Sequence, residues 1–537
     1  MGNDNRSASY LSAKSKKWNV FLSALTIFLV ALIVRYIGLK FGFPLFTHPD
    51  EGYLMNAVRG MSQYRTLDPG TYIYPGYPSL YSKLPLLEGL SLHKFGEIYG
   101  KDYWKDPFLF YFVSRLMTAV QGALLSVVAW FIGRKYKKID FSWPAAVLFT
   151  FYPPFVLHSH YVTVDIPLTL FVMVVLLFCL NYLSSNKRFW LVMACVFVSI
   201  ATLEKYPGIL SFGIVLATIG IRAFNNSEQK KVLDGRFLLK TIGECLLIVL
   251  VAILVIAPTL VLHFDTAWKQ ILLEARPTHL GADGLGWGGN LLYYLKDFYA
   301  NARLIISIIA AVGLAAAILI KDPTALLLLF GGGYWIALSV LHLHHSRWSL
   351  PMMTTPLFLA ALGTSFLWQK VSHRTACKIA VAVFLLAGFV PFILKGTVTS
   401  LMLTWLDTRN IALRFMGEYD ITENKTVSEG YTPYYPNSKP NIYDFDIFKP
   451  GEKEYLVLSS IMVDRYAAEP ERYVTQNAFY ARVRSHSVLI KDFRPDPEPT
   501  SVIDQLKVIF EYLNRKFRNS KPQYLTGPRL EIYKLQE

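Results

Sequence analysis

Acidic side chains lie at the ends of two apolar segments of this 537-residue chain. Asp50 and Glu51 follow the first apolar segment, and Asp165 immediately precedes a later one. A carboxylate at the surface of a bilayer can take a proton from a hydroxyl group as that hydroxyl attacks a sugar. A structural interpretation is also open for Asp50 and Asp165, because Asp is favoured at the N-cap of a helix.

Three basic side chains, Lys205, Arg276 and Arg347, lie in short segments between apolar runs. Taken singly, each is also typical of a residue at the end of a membrane span that reaches the lipid head groups. Together, facing the acids, they favour a site that binds an anionic leaving phosphate, because a guanidinium group donates two parallel hydrogen bonds to such an anion. A base, cations and correct positioning are what displacement of a lipid phosphate from a sugar requires, and the electrostatic contribution should dominate.

The histidines and cysteines are weaker candidates for functional residues than the acids and cations. His158 and His160 are metal ligands by type, but a lone His-x-His more often supplies polarity at an interface. The four cysteines all lie in or beside apolar runs and have neither disulfide nor metal spacing, so we interpret them as small apolar side chains. They are Cys179, Cys195, Cys245 and Cys377.

Composition predicts a membrane protein. The chain is 53% hydrophobic with a mean hydropathy of +0.34, and apolar runs long enough to cross a bilayer recur from Trp18 to about Lys395. We predict eleven spans at about 18–40, 108–133, 142–160, 163–183, 189–204, 207–223, 238–263, 302–320, 324–343, 349–369 and 378–396. The segment 78–95 contains charges and prolines, which predicts an interfacial or re-entrant piece.

The distribution of charge predicts the topology. From Leu401 onward 19 basic and 19 acidic residues cancel, so the whole excess of +16 lies in the membrane half. Nucleic acid is therefore a poor partner, since no basic domain stands clear of the bilayer. With a cytoplasmic N-terminus every inside loop is basic, which follows the positive-inside rule. The acids and cations described above then all face the outer side of a plasma or inner membrane.

The residues after the last span change in pattern. Leu406 to Tyr419 and Ser501 to Arg515 read as helices, and short strands are predicted at 426–428, 454–460 and 530–533. We predict two domains: an all-α polytopic membrane domain over 1–400, with the first outer loop at 41–107, and a small soluble α/β domain over 401–537. The aromatic stretch 431–436 could stack on sugar rings, although packing as a loop on the membrane domain is the more ordinary interpretation.

Several motifs recur in a characteristic order along the chain. They are His48-Pro49-Asp50-Glu51, Tyr77-Pro78-Ser79-Leu80, His158 to Asp165 leading into Pro167, Lys205-Tyr206-Pro207, Ser346-Arg347-Trp348-Ser349-Leu350-Pro351, Asp407 to Ala412 and Gly527 to Lys534. In these motifs the sequence resembles the GT-C superfamily of polytopic glycosyltransferases. More narrowly it is similar to the dolichyl-phosphate-mannose protein mannosyltransferase-like group, which includes lipid A aminoarabinose transferases and lipopolysaccharide-core galacturonosyltransferases. The Tyr-Pro-Ser-Leu motif departs from the Lys-Pro-Pro-Leu run of some lipid A transferases, which argues against that branch.

The resemblance implies a function. Asp50 would be the catalytic carboxylate, with Glu51 and Asp165 in the same cavity. The donor would be a polyprenyl-phosphate sugar and the reaction an inverting single displacement onto a hydroxyl of a cell-envelope lipid, glycan or protein. Four basic residues would contact the donor phosphate: Lys205, Arg276, Arg347 and Lys83. Some relatives bind a divalent ion, but the sequence shows no persuasive ligand set.

Two other classes of function stay open at this point. A transporter or flippase for a lipid-linked or anionic substrate would show internal repeats and polar residues at mid-span. We find no obvious repeat, and the polar residues lie at span ends. A non-catalytic membrane scaffold would tolerate replacement of Asp50 and Asp165.

Overall fold

The structure is a computed structural model. It describes residues 4–70, 76–91, 100–103, 105–136, 138–230, 235–274, 276, 279–320, 322–371, 375–433, 442–444 and 453–535. Within the predicted stretch 431–436, positions 434–436 lie outside the described residues. The same is true of five residues of the loops predicted to be basic and cytoplasmic: Lys137, Lys231, Lys321, His373 and Arg374.

The described part of the chain is mostly helical. The α-helices are α1 (Asp4–Tyr36), α2 (Glu51–Tyr64), α3 (Tyr77–Ser91), α4 (Pro107–Gly133), α5 (Ser142–Phe151), α6 (Pro153–His158), α7 (Asp165–Ser185), α8 (Arg188–Glu204), α9 (Phe212–Lys230), α10 (Gly235–Ile256), α11 (Pro258–Leu262), α12 (Phe264–Glu274), α13 (Trp287–Ile320), α14 (Gly331–Ser339), α15 (Leu350–Lys370), α16 (Thr375–Met402), α17 (Thr408–Glu418), α18 (Ser460–Ala467), α19 (Val474–His486) and α20 (Val502–Arg518). Short 3-10 helices cover Tyr206–Ser211, Pro323–Leu329, Ser346–Ser349 and Glu423–Lys425.

Eight helices of the described chain are long and apolar enough to cross a membrane. They confirm a multi-pass membrane protein. The other three predicted spans coincide with shorter pieces: α5 with α6, the 17-residue α8, and the 3-10 helix at Pro323–Leu329 with α14. Eleven crossings therefore stay a prediction. Helix α3 has only 15 residues and contains Pro85, so as a helix it is too short to cross a bilayer.

Small residues allow the membrane helices to pack closely. Gly313 of α13 and Gly363 of α15 face each other, and a Cβ built on Gly363 would lie 2.2 Å from the carbonyl oxygen of Ile309. Helix association in lipid depends on such close backbone approach, because burial of apolar side chains gives no advantage over lipid contact. Helix α13 is kinked at Arg303, whose φ is 63°.

The elements after Met402 combine helices with short strands, and we call them the α/β unit. Its strands are β1 (Leu406–Asp407), β2 (Thr426–Ser428), β3 (Tyr455–Ser459), β4 (Ser487–Phe493), β5 (Leu525–Thr526) and β6 (Leu530–Leu535). Strands β2, β3, β6 and β4 form a four-stranded sheet in that order, in which β2 and β3 are parallel and β6 is antiparallel to both its neighbours. Strand β1 pairs in parallel with β5.

The sequence-based elements of this unit need corrections. The predicted helix from Leu406 begins instead at Thr408, because Leu406 and Asp407 form β1 and the Asp407 carboxylate accepts a hydrogen bond from the Arg409 amide as a cap. Helices α18 and α19 and strand β4 were missed. The alternation in β4 is weak, since Phe493 is the one buried residue of the strand and a bulge interrupts its register between Leu489 and Lys491.

Candidate active site

A cavity of about 400 Å³ opens where α2, α7 and the segments after α8 and before α15 meet. Its polar lining includes Asp50, Asp165, Lys205, Arg276 and Arg347. These are five of the residues that the sequence analysis singled out, and the structure brings them into one cavity although they are spread over almost 300 positions. The volume is within the range of small-molecule sites. Much of the remaining lining is apolar: Leu54, Ala57, Leu80, Leu168, Leu273, Leu338 and Leu341.

Asp50 lies at the cap position of α2, but its carboxylate makes no capping hydrogen bond. Arg347 donates a hydrogen bond from Nη1 to Asp50 Oδ2 instead. The two side chains are only partly exposed, at 36% for Asp50 and 28% for Arg347, so the pair is reachable from the cavity. The capping interpretation of Asp50 is therefore not the one that the structure adopts.

Asp165 is the first residue of α7 and lines the same cavity. Its side chain is almost fully buried and accepts a hydrogen bond from Lys205 Nζ at 3.0 Å. The cap position of α7 is Val164, and no side chain caps it. Lys205 Nζ also lies 5.4 Å from the ring centre of Trp348, a cation–π distance. The cavity thus contains two carboxylates, each paired with a cation.

Glu51 is turned away from the cavity. It is fully buried and forms a two-pronged ion pair with Arg115 of α4, with distances of 2.8 Å from Nε and 2.7 Å from Nη2. Glu51 Oε1 also accepts the Val162 amide at 3.0 Å. Arg115 Nη1 donates to the carbonyl oxygens of Leu39 and Phe41. Glu51 therefore connects the start of α2 to the turn before Asp165, and the structure does not place it where it could contact a substrate.

The remaining predicted cations differ in position. Arg276 is exposed and lines the cavity mouth, where its Nη1 also donates to the Leu273 carbonyl. Lys83 is buried and does not belong to the described cavity lining. Burial lowers the pKa of Lys83, while nearby Glu204 acts in the opposite direction. A direct contact of Lys83 with a bound phosphate would therefore require a rearrangement of α3.

The histidines give no support for a metal centre. Both ring nitrogens of His160 lie within hydrogen-bonding distance of backbone carbonyl oxygens, those of Val156 and Ile37. His158 is close to Tyr161, with 5.6 Å between ring centres. Within the described residues no group of three or more His, Cys, Asp or Glu side chains could hold a metal ion.

Two further histidines border the cavity. His48 packs on Tyr161 with 4.2 Å between ring centres, and burial lowers its pKa. Burial also lowers the pKa of His345 to about 4, with the guanidinium groups of Arg347 and Arg465 adding to the effect. Both imidazoles are therefore neutral near pH 7, so they add no positive charge that would compete for the acids.

The motif after the last membrane helix is tied to the first loop. Arg409 pairs with Asp407 through two hydrogen bonds and donates from Nη1 to the Thr47 carbonyl at 2.8 Å. Asn410 Nδ2 donates to the carbonyl oxygens of Gly42 and Phe43. These bonds hold the chain just before Asp50, which gives the Asp407 to Ala412 motif a structural role.

Sequence reasoning missed Arg115 and Arg35. Arg35 of α1 is fully buried and donates to Ser159 Oγ and to the carbonyl oxygens of Phe149 and Thr150. Both arginines could have been identified from the sequence, because an ionisable residue within an apolar run is costly unless it has a partner or a function. Arg35 falls within the predicted span 18–40 and Arg115 within 108–133.

The comparisons with known proteins agree with this architecture. Residues 90–268 match the family described as dolichyl-phosphate-mannose-protein mannosyltransferase. No curated protein sequence matches the chain. A structure of the Archaeoglobus fulgidus oligosaccharyltransferase, tethered to an acceptor peptide, aligns at 10% identity over 95% of this chain and 88% of that one, with a TM-score of 0.50. That likeness shows a shared fold.

ArnT from Cupriavidus metallidurans bound to undecaprenyl phosphate aligns at 15% identity over 76% of this chain and 73% of that one, with a TM-score of 0.44. The resemblance to the GT-C superfamily is confirmed by the family match together with the shared fold. The family match, with the shared fold, supports a membrane glycosyltransferase of the GT-C type.

Proposed function

We propose that this protein transfers a sugar from a polyprenyl-phosphate donor to a hydroxyl group of a cell-envelope acceptor. The observation that carries the proposal is the cavity in which Asp50 pairs with Arg347 and Asp165 pairs with Lys205. Cations that can bind a phosphate thus stand beside a carboxylate that can accept a proton, with apolar lining alongside. The match of residues 90–268 to the mannosyltransferase family supports a glycosyl transfer reaction.

The proposed donor site uses the three cations of the cavity. The phosphate of the donor is bound by Arg347, Lys205 and Arg276. The guanidinium group of each arginine can donate two parallel hydrogen bonds to it. The apolar side chains of the lining accommodate the first isoprene units of the carrier. Binding the leaving phosphate more tightly as its negative charge develops lowers the barrier.

The proposed reaction is a single displacement with inversion. Asp50 accepts the proton of the acceptor hydroxyl as its oxygen forms a bond to C1 of the sugar. The bond from C1 to the phosphate oxygen breaks, and the phosphate leaves with the electron pair. No acid is needed on the leaving group, because the phosphate is already a stable anion.

The ion pair between Asp50 and Arg347 predicts the order in which the donor and the acceptor bind. While Arg347 donates to Asp50 Oδ2, that carboxylate oxygen is occupied and does not accept the proton of the acceptor hydroxyl. A donor phosphate offers Arg347 another anion and releases Asp50 for the acceptor. We propose that the donor binds first, and that the cavity faces the outer side of a plasma or inner membrane.

The decisive experiment compares purified wild type with Asp50→Asn in vitro on a panel of polyprenyl-phosphate sugars with cell-envelope acceptors. We expect transfer by the wild type and a rate roughly 10²- to 10⁴-fold lower for Asp50→Asn, the usual contribution of a general base. Asp68→Asn is the matched control, because Asp68 lies in the same outer loop, pairs with His263 and does not line the cavity.

Equal release of free polyprenyl phosphate by wild type and Asp50→Asn would overturn the assignment of Asp50. If neither protein released it with any donor, proteoliposomes would be tested for movement of the intact lipid-linked sugar. Such movement would show that the protein is a transporter or flippase and not a transferase.

A further inference from the structure

Helix α20 exposes an apolar stripe that the rest of the described chain does not cover. Its members recur at i, i+3, i+7, i+10 and i+14, which places them on one face of a helix. They are Ile503, Leu506, Phe510, Leu513 and Phe517, and their exposed fractions run from 38% to 90%. This spacing continues over the whole 17-residue helix, unlike the scattered single apolar residues that are normal on a protein surface.

The helix is well formed by its own sequence. The hydroxyl of Ser501 accepts a hydrogen bond from the Asp504 amide at 3.1 Å and so caps the first turn. Asn519 adopts a left-handed conformation with φ of 48° and ends the helix. Basic side chains occupy the last turn, where they interact favourably with the helix dipole. The exposed stripe is therefore held on a rigid element.

Another face of α20 packs against the side of the last turns of α16. Val508 belongs to one buried cluster with Val398, Leu401 and Trp405, and Ile37 at the end of α1 packs against the same cluster. Arg515 donates to the carbonyl oxygen of Thr404 at 3.1 Å.

The start of α20 is also tied to the membrane helices. Arg303, at the kink of α13, donates from Nη2 to the carbonyl oxygen of Thr500 at 2.7 Å, just before α20 begins. The helix thus rests where the candidate spans α1 and α16 end, at the boundary between the membrane domain and the α/β unit.

A third strip of α20 is polar and exposed. Lys507, Asn514 and Arg518 follow one another at a spacing of seven and four residues, beside the apolar stripe. A helix with a packed face, an apolar exposed face and a polar exposed face with basic residues fits a position in the plane of a membrane surface. The last span, against whose end α20 packs, itself exposes Ile379, Val383, Leu386 and Val390 farther along its length, as expected of a helix that faces lipid.

We propose that α20 is an in-plane membrane anchor, whose apolar stripe enters the bilayer between the phospholipid head groups and the upper acyl chains. Lys507 and Arg518 then lie at the level of the lipid phosphates, whose negative charge they complement. This anchor holds the α/β unit against the membrane surface. The inference concerns the attachment of that unit and does not depend on the proposed transferase activity.

The test measures the depth of single spin labels in the full chain reconstituted in lipid nanodiscs. Cys377→Ser first removes the half-buried native thiol, since the other three cysteines are buried. Labels are then placed at Phe510→Cys in the stripe and, as the matched control, at Asn514→Cys on the polar strip of the same helix. Leu513→Cys gives a second stripe position if Phe510→Cys does not yield a stable protein. Collisions with oxygen and with a water-soluble nickel chelate are compared by power saturation.

We expect the Phe510 label to collide more with oxygen than with nickel, at a depth of about 5–10 Å below the head groups, and the Asn514 label to show the reverse. A Phe510 label that collides with nickel as often as a water-exposed Asn514 label would overturn the proposal, because the stripe would then face water. Spin–spin broadening at Phe510 that disappears on dilution with unlabelled protein would also overturn it and would assign the stripe to a second copy of the chain.

Discussion

At the scale of single residues, the pairing of Arg347 with Asp50 is the feature on which the proposed donor site depends. Replacing Arg347 by Gln removes hydrogen bonds to a charged group, each worth roughly 1.5–3 kcal/mol. We expect kcat/KM for the donor to fall roughly ten- to hundredfold, in proportion to that energy. Steady-state kinetics with varied donor measures this loss. Arg134→Gln is the control, since Arg134 is exposed and does not line the cavity, and an equal loss in both variants would contradict the assignment.

The Glu51–Arg115 pair gives a prediction about stability. Removing one partner of a buried ion pair leaves an uncompensated charge and costs roughly 3–5 kcal/mol, so Glu51→Gln should unfold at a clearly lower temperature than the wild type. Glu244→Gln is the control, because its pair with Arg188 is exposed and such pairs contribute about 0–1 kcal/mol. Thermal unfolding of purified protein in nanodiscs compares them. Similar melting temperatures for both variants would show that the buried pair is dispensable.

Some residues of the cavity were predictable because their types are unusual beside apolar runs. Asp50, Asp165 and Arg347 were identifiable because ionisable residues lie beside apolar runs, where they need a partner or a task. What could not be predicted was the partner of each acid. Glu51 and Asp50 are adjacent in sequence, yet one faces Arg115 in the interior and the other faces the cavity. That difference depends on the direction in which α2 begins, which is set by distant contacts.

At the scale of helices, close packing of α13 on α15 makes a sharp prediction. In Gly363→Ala the new Cβ would meet the Ile309 carbonyl oxygen at 2.2 Å and the Gly313 amide at 2.8 Å. Both are backbone atoms, so the helices must separate, and overpacking of this kind costs roughly 1–3 kcal/mol. We expect a lower melting temperature.

The control for Gly363→Ala lies on α9. Gly220→Ala also adds one methyl group to a helical glycine, but nothing lies within 4 Å of its Cβ position. Alanine is favoured over glycine in a helix, so this variant should be as stable as the wild type or more so. A loss of stability in Gly220→Ala equal to that in Gly363→Ala would contradict the packing argument.

Apolar length predicted most membrane elements, because lipid requires every backbone group to be bonded within its own helix. It did not predict the kink at Arg303 or the breaks between α5 and α6. In the α/β unit the pattern succeeded for β2 and β6, whose residues are nearly all buried. It failed for β4, which has an exposed face and a bulge.

At the scale of the whole molecule, the α/β unit carries a buried acid that should make stability depend on pH. Glu429 accepts hydrogen bonds from the Ser459 amide at 3.0 Å and from the Tyr443 hydroxyl at 3.2 Å, and burial raises its pKa to about 7. A raised pKa means that the folded state favours the protonated acid. The stabilisation is therefore fully present below the ordinary value of 4.5 and is lost as the pH rises through 7.

Glu429→Gln provides the measurement for this effect, because an amide resembles the protonated acid in shape and does not titrate. Between pH 5 and pH 8 the melting temperature of the wild type should fall relative to that of Glu429→Gln. The same pH dependence in both proteins would show that Glu429 is not the responsible group.

The bonds from Arg409 and Asn410 to the first loop also have a consequence for biogenesis. The Thr47 carbonyl accepts its hydrogen bond from a residue 362 positions later in the chain. At translation speeds of about 5–20 residues per second, that partner leaves the ribosome roughly 20–70 s after the loop it secures. During this interval the newly made protein already carries its first acidic loop in the membrane but lacks the contacts that orient it. The first loop would thus reach its final arrangement only after Arg409 and Asn410 have been made. If the protein has the proposed activity, no chain shorter than this could consume the sugar donor.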